Sequence, residues 1–120
     1  IGSPAMNVFD GVLQKEGGQA AVSALGALWP VSGLAGGQHG QKVHYGIRPG
    51  DLTLANAGIA AQVVVVEPTG AETELLLQIG PQQLTLVLHG RTAAQPGDTV
   101  HLAIDGAKAH VFDGQGGQRL

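Results

Sequence analysis

The sequence predicts an all-β protein of short strands joined by tight turns, and two observations carry that prediction. Apolar residues make up 43% of the 120 residues, and most of them are Val, Leu, Ile and Ala, which suit half-buried pleated strands. The chain also contains 20 Gly and 6 Pro, which supply many turns. A chain of this length accommodates one domain and at most a small additional lobe.

The first part of the chain predicts four strands. Residues 6–13 form the first strand, which ends at a turn-prone Lys-Glu-Gly-Gly segment. Residues 20–30 are rich in Ala, which permits a helix, but Gly26 and Pro30 interrupt one and favour two short strands. A Gly-rich loop over residues 32–40 then leads into a strand at Lys42–Ile47.

The rest of the chain predicts a turn over residues 48–51 and six further strands divided by Gly, Pro and Asp. Pro-Gly-Asp occurs at residues 49–51 and again at 96–98, which we interpret as a coincidence of a common turn rather than the trace of a duplicated unit. The six strands are predicted at residues 52–54, 59–66, 74–79, 84–88, 100–104 and 109–112.

Two of these strands depart from simple alternation, because residues 63–66 are four consecutive valines and residues 75–77 are three consecutive leucines. An antiparallel strand with one wet face alternates apolar and polar residues. We therefore expect these strands to be covered on both faces, by a closed barrel on one side and by a neighbouring lobe or another subunit on the other. A homodimer is the natural candidate in so short a chain.

Charge and cysteine content narrow the possible partners and compartment. Only 12% of residues are charged and the formal net charge is −3, so the six scattered Lys and Arg residues form no track for a phosphate backbone. We expect no nucleic-acid partner. The chain has no Cys and no apolar run of the roughly 18 residues that span a bilayer, so the cytoplasm is the expected compartment. The start is neither a signal peptide nor an initiator, which suggests a piece cut from a longer protein.

The motifs of nucleotide chemistry do not occur in the sequence. A phosphate-binding loop requires Gly-x-x-x-x-Gly-Lys-Ser/Thr, whose amides and Lys hold the phosphates, and no Gly pair here is followed by Lys and a hydroxyl residue at that spacing. No Gly-x-Gly-x-x-Gly fingerprint opens a helix. We expect the chain to bind no cofactor and to hydrolyse no ATP by itself.

The five histidines show none of the spacings that place two ligands on one strand face or one helix face. A metal site would need ligands from separate strands together with Asp98 or Asp113, so we expect surface or hydrogen-bonded histidines instead and no metal. The histidines are His39, His44, His89, His101 and His110.

Glu67, Glu72 and Glu74 surround a Pro-Thr-Gly turn and have two interpretations, an acid and base pair or a solvated hairpin tip. We favour the hairpin tip. None of the three serines lies in a Gly-x-Ser-x-Gly nucleophile elbow, so we expect no catalytic residue. The serines are Ser3, Ser23 and Ser32.

Arg48 stands between Ile47 and Pro49, on a turn that proline makes rigid. Its planar guanidinium can grip a carboxylate or a carbonyl in one geometry. Two roles are open, a staple that holds the loop to a neighbouring strand and a contact with a partner or effector, and we favour the staple.

Several segments together carry a resemblance to a known family. The most recognisable is Gly46-Ile47-Arg48-Pro49, followed by Asp51-Leu52. Through these segments the chain resembles the C-terminal regulatory region of the ATP-binding subunits of carbohydrate-type ABC importers, the maltose and glycerol-3-phosphate group, which holds the transport-associated OB, or TOBE, fold. The other matching segments are residues 1–7, 66–73, Arg91, 96–98, 110–113 and 117–120.

The resemblance implies an OB-like antiparallel barrel with a small additional β lobe. Residues 1–45 hold the first strands and a variable loop, residues 46–120 hold the TOBE-like core, and a nucleotide-binding domain lies upstream. Residues 20–40 match poorly, and Gly50 stands where the family commonly has Glu. The implied regulatory or interface positions are Gly46, Ile47, Arg48, Pro49, Asp51, Glu67, Gly70, Glu72, Arg91 and Phe112.

The resemblance also implies a parent protein and its partners. The parent hydrolyses ATP with Mg at the inner face of the cell membrane, pairs with permease subunits and receives solute from a periplasmic binding protein. The tail performs none of that chemistry. It extends the dimer contact of two ATPase subunits, through the turn at residues 46–52 and the sheet that carries residues 59–66, and receives regulatory proteins or small effectors.

Three alternatives remain. A sensor of small oxyanions, like the molybdate-binding relatives of this fold, needs a Ser-Ala-Arg-Asn type segment that the sequence lacks. Oligonucleotide binding needs aromatic platforms and a basic groove, whereas the chain has four aromatic residues and a negative charge. An enzyme acting through Glu72 or Glu74 ranks last.

Overall fold

A computed structural model describes residues 4–120, and it confirms the prediction of an all-β, OB-like fold. Ten strands form two five-stranded antiparallel sheets. The chain divides into two compact units, which we describe separately. The N-terminal unit contains residues 6–47 and 104–120, and the central unit contains residues 48–103 with residues 4 and 5.

The sheet of the N-terminal unit has the order β10-β4-β1-β2-β3. The long strand β1 pairs with β4 through residues 7–12 and with β2 through residues 12–16. The β1–β2 turn consists of Gly17 and Gly18, both at positive φ, as a two-residue hairpin turn requires. The strands are β1 (Asn7–Glu16), β2 (Gln19–Ala24), β3 (Ala27–Val31), β4 (Lys42–Ile47) and β10 (His110–Asp113), with a 3₁₀ turn at Gly106–Lys108.

An aromatic cluster forms the core of the N-terminal unit. The ring centroids of Phe9, Trp29 and Tyr45 lie 4.6 to 5.6 Å apart, and all three side chains are buried. The polar atoms of the cluster are satisfied, since Trp29 Nε1 donates to Ala24 O at 2.9 Å and the Tyr45 hydroxyl donates to Pro30 O at 2.6 Å. Three of the four aromatic residues of the chain therefore serve packing.

The sheet of the central unit has the order β5-β9-β6-β7-β8. Its core is aliphatic, with buried Val and Leu side chains from β6, β7, β8 and β9. The elements are a 3₁₀ turn at Pro49–Asp51, β5 (Leu52–Ala55), β6 (Ile59–Thr69), β7 (Glu72–Ile79), β8 (Gln82–His89) and β9 (Thr99–Ile104).

The two sheets repeat one plan. Strands β1 to β4 and strands β6 to β9 run through their sheets in the same order, and each sheet takes its fifth strand from the other half of the sequence. Each fifth strand follows a 3₁₀ turn. The two Pro-Gly-Asp segments occupy non-equivalent places, before β5 and before β9, so the repeated plan is not marked by that motif.

Because each sheet takes its fifth strand from the other half of the sequence, an arrangement that we call the exchange of fifth strands, the boundaries of the two units differ from the expected segments 1–45 and 46–120. The division of the chain falls after Ile47, close to residue 46, but residues 104–120 group with the N-terminal segment. The reason is that β10 pairs with β4, with Val111 opposite Tyr45.

The expectation that the valine and leucine runs are covered on both faces is wrong for the chain by itself. A β-bulge between Val63 and Val65 shifts the register of β6 against β7, so that Val63 is buried whereas Val64 and Val65 are 40% and 43% exposed. Strand β7 alternates strictly, with Leu75 and Leu77 buried and Leu76 half-buried. The valine run therefore reflects a bulge, which places two successive side chains on one face.

Candidate functional site

The segment from Gly46 to Pro49 joins the two units of the chain. Gly46 and Ile47 are buried at the end of β4, and Gly46 pairs with His110 of β10. A Cβ at Gly46 would lie 3.0 Å from Met6 Cε and 3.5 Å from Phe112 Cε2. The absence of a side chain at this position lets Met6 and Phe112 pack over the strand, which explains the glycine physically.

Arg48 is exposed on extended backbone, and the turn that follows is held by main-chain atoms. Arg48 O accepts a hydrogen bond from Asp51 N at 2.9 Å, and Pro49 is buried at the first position of the 3₁₀ turn. Within residues 4–120 the Arg48 guanidinium makes no hydrogen bond or ion pair. Its side chain is therefore presented to solvent.

The staple that we expected at Arg48 occurs instead at Arg91. Arg91 Nη2 donates to Gly70 O at 2.7 Å and Nη1 donates to Glu72 O at 2.8 Å, across the β6–β7 turn. Gly90 N donates to Ala71 O at 2.7 Å beside it. Arg91, Gly70 and Glu72, which were selected separately from the sequence, therefore meet at one hairpin tip.

Thr73 was not selected from the sequence. Its side chain is buried, and Oγ1 donates to Gly90 O at 2.5 Å, which adds a further bond between the hairpin and the segment after β8. The signal available in the sequence was a threonine between Glu72 and Glu74, at an inward-facing position of a strictly alternating strand.

The outer face of the central sheet carries three rows of side chains defined by the register of β6, β7 and β8. The apolar row contains Val65 and Leu76 with the bulged Val64 beside them, and it ends at Thr85. The other two rows flank it. The glutamine row is Gln62, Gln78 and Gln83, and the acidic row is Glu67, Glu74 and Val87.

The acidic row places Glu67 directly opposite Glu74, and like charges in that arrangement are unfavourable. In the part of the chain that the structure describes, neither carboxylate forms an ion pair. Arg91 does not neutralise them, because its hydrogen bonds go to main-chain carbonyls. The outer face therefore combines exposed apolar side chains with carboxylates that have no cation beside them.

The histidines lie in separate places. His44 Nδ1 is 2.7 Å from Asp10 Oδ1 across β1 and β4, and His39 accepts a hydrogen bond at Nδ1 from Lys15 N at 3.1 Å. The His110 ring stacks on Phe112 at 6.5 Å. Residues 4–120 contain no group of three or more His, Asp or Glu placed to hold a metal ion.

Two groups have shifted pKa values with structural causes. The backbone N–H of Gly116, followed by the side-chain amide of Gln41, lowers the pKa of Asp113; the two bonds measure 2.8 and 2.9 Å. Burial raises the pKa of Tyr45 above its usual range. Asp113 and Tyr45 both belong to the N-terminal unit.

Shallow grooves occur on the N-terminal unit. One, of about 380 Å³, lies between Asp10, Lys42, His44 and Gly114. In the described residues no buried side-chain nitrogen or oxygen lacks a hydrogen-bond partner, so none is left aimed at a ligand. Among the same residues there is no helix with the length and apolarity that a membrane crossing requires.

The described residues form an OB-like β module of two units with the same strand plan. The TOBE domain family matches residues 45–112, and the MalK OB fold domain family matches residues 2–52. The chain belongs to the TOBE domain family. Gly2 and Ser3 of the second match lie outside the described residues, as do residues 1–3 of the resembling segment 1–7.

Relatives resemble the chain along nearly its whole length. An uncharacterised ABC transporter ATP-binding protein, y4oS, of Sinorhizobium fredii is 38% identical over 100% of this chain and 32% of the relative. The sn-glycerol-3-phosphate import ATP-binding protein UgpC of Salmonella typhi is 33% identical over 100% of this chain and 34% of the length of UgpC. The multiple sugar-binding transport ATP-binding protein MsmK of Streptococcus mutans is 34% identical over 96% of this chain and 33% of the relative. The chain thus spans about a third of their length.

A solved structure shows the same fold. The cytoplasmic molybdate-binding protein ModG, with molybdate bound, superposes with a TM-score of 0.73 over 92% of this chain and 96% of that one. The two sequences are 17% identical, so the likeness concerns architecture.

Proposed function

We propose that the chain is the regulatory and dimerisation module of the ATP-binding subunit of an ABC importer for a sugar or polyol. The observation that carries the proposal is the TOBE match over residues 45–112, together with relatives at 32 to 38% identity that are named as import or ABC transporter ATP-binding proteins. The parent would bind ATP and Mg, act at the inner face of the cell membrane and pair with permease subunits.

The module acts by contact rather than by chemistry. Its exposed Arg48 stands on a turn held by main-chain bonds and a buried proline, which suits a contact with a regulatory protein or small effector. The outer face of the central sheet supplies the contact between two subunits. Main-chain hydrogen bonds hold the backbone of both surfaces, so the ordering cost of binding falls on the side chains.

The test uses the parent subunit with its upstream residues. A Gly-x-x-x-x-Gly-Lys-Ser/Thr loop upstream of Ile1 is expected. Replacing the present 120 residues by the corresponding segment of UgpC should preserve ATP hydrolysis by the purified subunit and change how hydrolysis is coupled to solute uptake in vesicles. A parent without the loop, or a replacement that abolishes hydrolysis in a folded subunit, would refute the proposal.

The alternative, a sensor of small oxyanions, is distinguished by calorimetry with molybdate and tungstate. Under the leading proposal neither anion releases heat of binding. A saturable heat with either one would favour the alternative and identify a site that the hydrogen-bond pattern of the described residues does not mark.

A further inference from the structure

The Gly-rich loop after β3 is bound to the end of β1 through a histidine and a lysine. The backbone N–H of Lys15 donates a hydrogen bond to Nδ1 of His39 at 3.1 Å. Lys15 Nζ donates to Gly36 O at 3.4 Å and to Gly37 O at 3.2 Å. We call residues 36–39 the latch segment. Hydrogen bonds with the main chain and the side chain of one lysine hold this segment to β1.

The latch segment covers a side chain of the core. A Cβ at Gly37 would lie 2.7 Å from Leu13 Cδ2, so the Gly37 backbone packs directly on the Leu13 side chain. Gly37 has a φ of +96°, a conformation that glycine adopts without strain. Leu13 is 0% exposed, whereas Gln38, His39 and Gly40 are exposed. The segment therefore separates part of the N-terminal core from solvent.

The hydrogen bond at His39 requires an unprotonated Nδ1. A neutral imidazole has one N–H donor and one acceptor nitrogen, whereas the imidazolium has two donors. Because Nδ1 of His39 accepts from Lys15 N, the proton of the neutral ring lies on Nε2, which is 3.6 Å from Glu16 Oε1. A second proton on Nδ1 would bring two donors together and remove the bond to Lys15.

We propose that His39 is a pH-sensitive latch, which releases residues 36–39 from β1 as its imidazole takes up a proton. An unperturbed histidine titrates at about pH 6.5. The attached segment leaves no room for a proton on Nδ1, whereas a released histidine binds one freely. By linkage, the attached form is favoured above about pH 6.5 and is lost as the pH falls below that value. Release uncovers Leu13 on the side that Gly37 covers.

Charged groups of β1 act on the imidazole in opposite directions. The Glu16 carboxylate favours the imidazolium, but its side chain is 79% exposed and lies 3.6 Å from Nε2, so water weakens the pair. The Lys15 ammonium, bound to two carbonyls of the latch segment, disfavours a second cation beside it. Residues 32–41 add no other charge, and Asp113 bonds to Gln41 instead. The loss of the Lys15 N–H bond therefore decides the direction of the change.

His44 of the same unit gives an internal comparison. Its Nδ1 lies 2.7 Å from Asp10 Oδ1, which is an acceptor, so this nitrogen donates in both the neutral and the charged ring. Protonation therefore preserves the contact of His44 and removes the contact of His39. Acid should loosen the chain at the latch segment and leave the β1–β4 pair in place.

NMR spectroscopy of the ¹⁵N-labelled chain between about pH 7.5 and about pH 5.5 tests the latch. At the higher pH a scalar coupling through the hydrogen bond should join Lys15 N to His39 Nδ1, and it should vanish as the imidazole titrates. The exchange rate of the Lys15 amide, divided by its intrinsic rate at each pH, should rise about tenfold, because only the released histidine binds the proton. A coupling that persists in the imidazolium, or a constant exchange ratio, would overturn the inference.

Three variants, each checked for folding by circular dichroism, separate the latch from the other groups. His39→Asn keeps an acceptor without a titratable ring and should make the exchange ratio of Lys15 independent of pH. His44→Gln is the matched control and should leave the tenfold rise unchanged. Glu16→Gln keeps the bond at Nδ1 and should leave the rise at least as large. A rise that survives His39→Asn, or that disappears in either of the other two variants, would assign it to another group and refute the latch.

Discussion

At the scale of single residues, two arginines that look alike in the sequence have different roles. Replacing Arg91 by Ala removes two hydrogen bonds to carbonyls at the β6–β7 tip and should lower the free energy of unfolding by about 1 kcal/mol, since charge-assisted bonds at an exposed site contribute modestly. Arg48→Ala is the matched control and should change stability by less than about 0.5 kcal/mol. Urea denaturation measures both, and equal losses would contradict the assignment of the staple to Arg91.

Gly46 yields a second prediction at this scale. A Val side chain at position 46 would collide with Met6 and Phe112, so Gly46→Val should destabilise the protein by about 1 to 3 kcal/mol. Met6→Ala makes room for the new side chain and should recover part of the loss. A double-mutant cycle followed by thermal unfolding measures the coupling, and strictly additive effects would show that Met6 is not the limiting contact.

At the scale of elements, the strand pattern could be predicted because Gly, Pro and Asp mark the turns. The strand at residues 42–47 agrees with the structure at both ends, and the two short strands within residues 20–30 are confirmed as β2 and β3. The course of β6 could not be predicted, since four consecutive valines show no alternation from which to locate a bulge. The strand also continues through Pro68 to Thr69.

The contacts of the candidate site residues were predictable only in part, because they join segments that lie far apart in the sequence. Gly70, Glu72 and Arg91 come together at the β6–β7 hairpin tip. The sequence motifs do not indicate whether Arg48 or Arg91 makes the hydrogen bonds to main-chain carbonyls. That depends on the loop after β8, where Gly90 meets Ala71. Long-range contacts of this kind are decided by the packing of the sheet rather than by local spacing.

The C-terminal loop gives an element-scale prediction with a pH dependence. The hydrogen bonds from Gly116 and Gln41 lower the pKa of Asp113 in the folded protein, so ionised Asp113 stabilises the fold above its unfolded pKa, and this contribution is lost as the pH falls through the lower folded value. Asp113→Asn should therefore melt below the wild type near pH 7, with the difference shrinking at about pH 2. Thermal melts across this range measure it, and a constant difference would contradict the role.

At the scale of the whole molecule, the exchange of fifth strands makes each half of the sequence depend on the other. The first half ends with β5, which belongs to the central sheet, and the second half ends with β10, which completes the N-terminal sheet. Each exchanged strand contributes buried side chains, Leu52 in β5 and Val111 in β10. A half produced alone would expose an unpaired strand edge and part of its core.

This dependence predicts the behaviour of a split protein. Fragments covering residues 1–57 and 58–120, cut in the exposed turn before β6, should each lack cooperative thermal unfolding, because each carries four strands of a five-stranded sheet and one strand of the other. Mixing the two should restore a cooperative transition and dispersed amide NMR signals, since every strand then finds its partner. A 58–120 fragment lacking residues 105–120 serves as the control and should fail to restore the N-terminal sheet, because β4 remains unpaired on the side of β10. If either half unfolds cooperatively in isolation, the exchanged strands contribute less to stability than their buried side chains indicate.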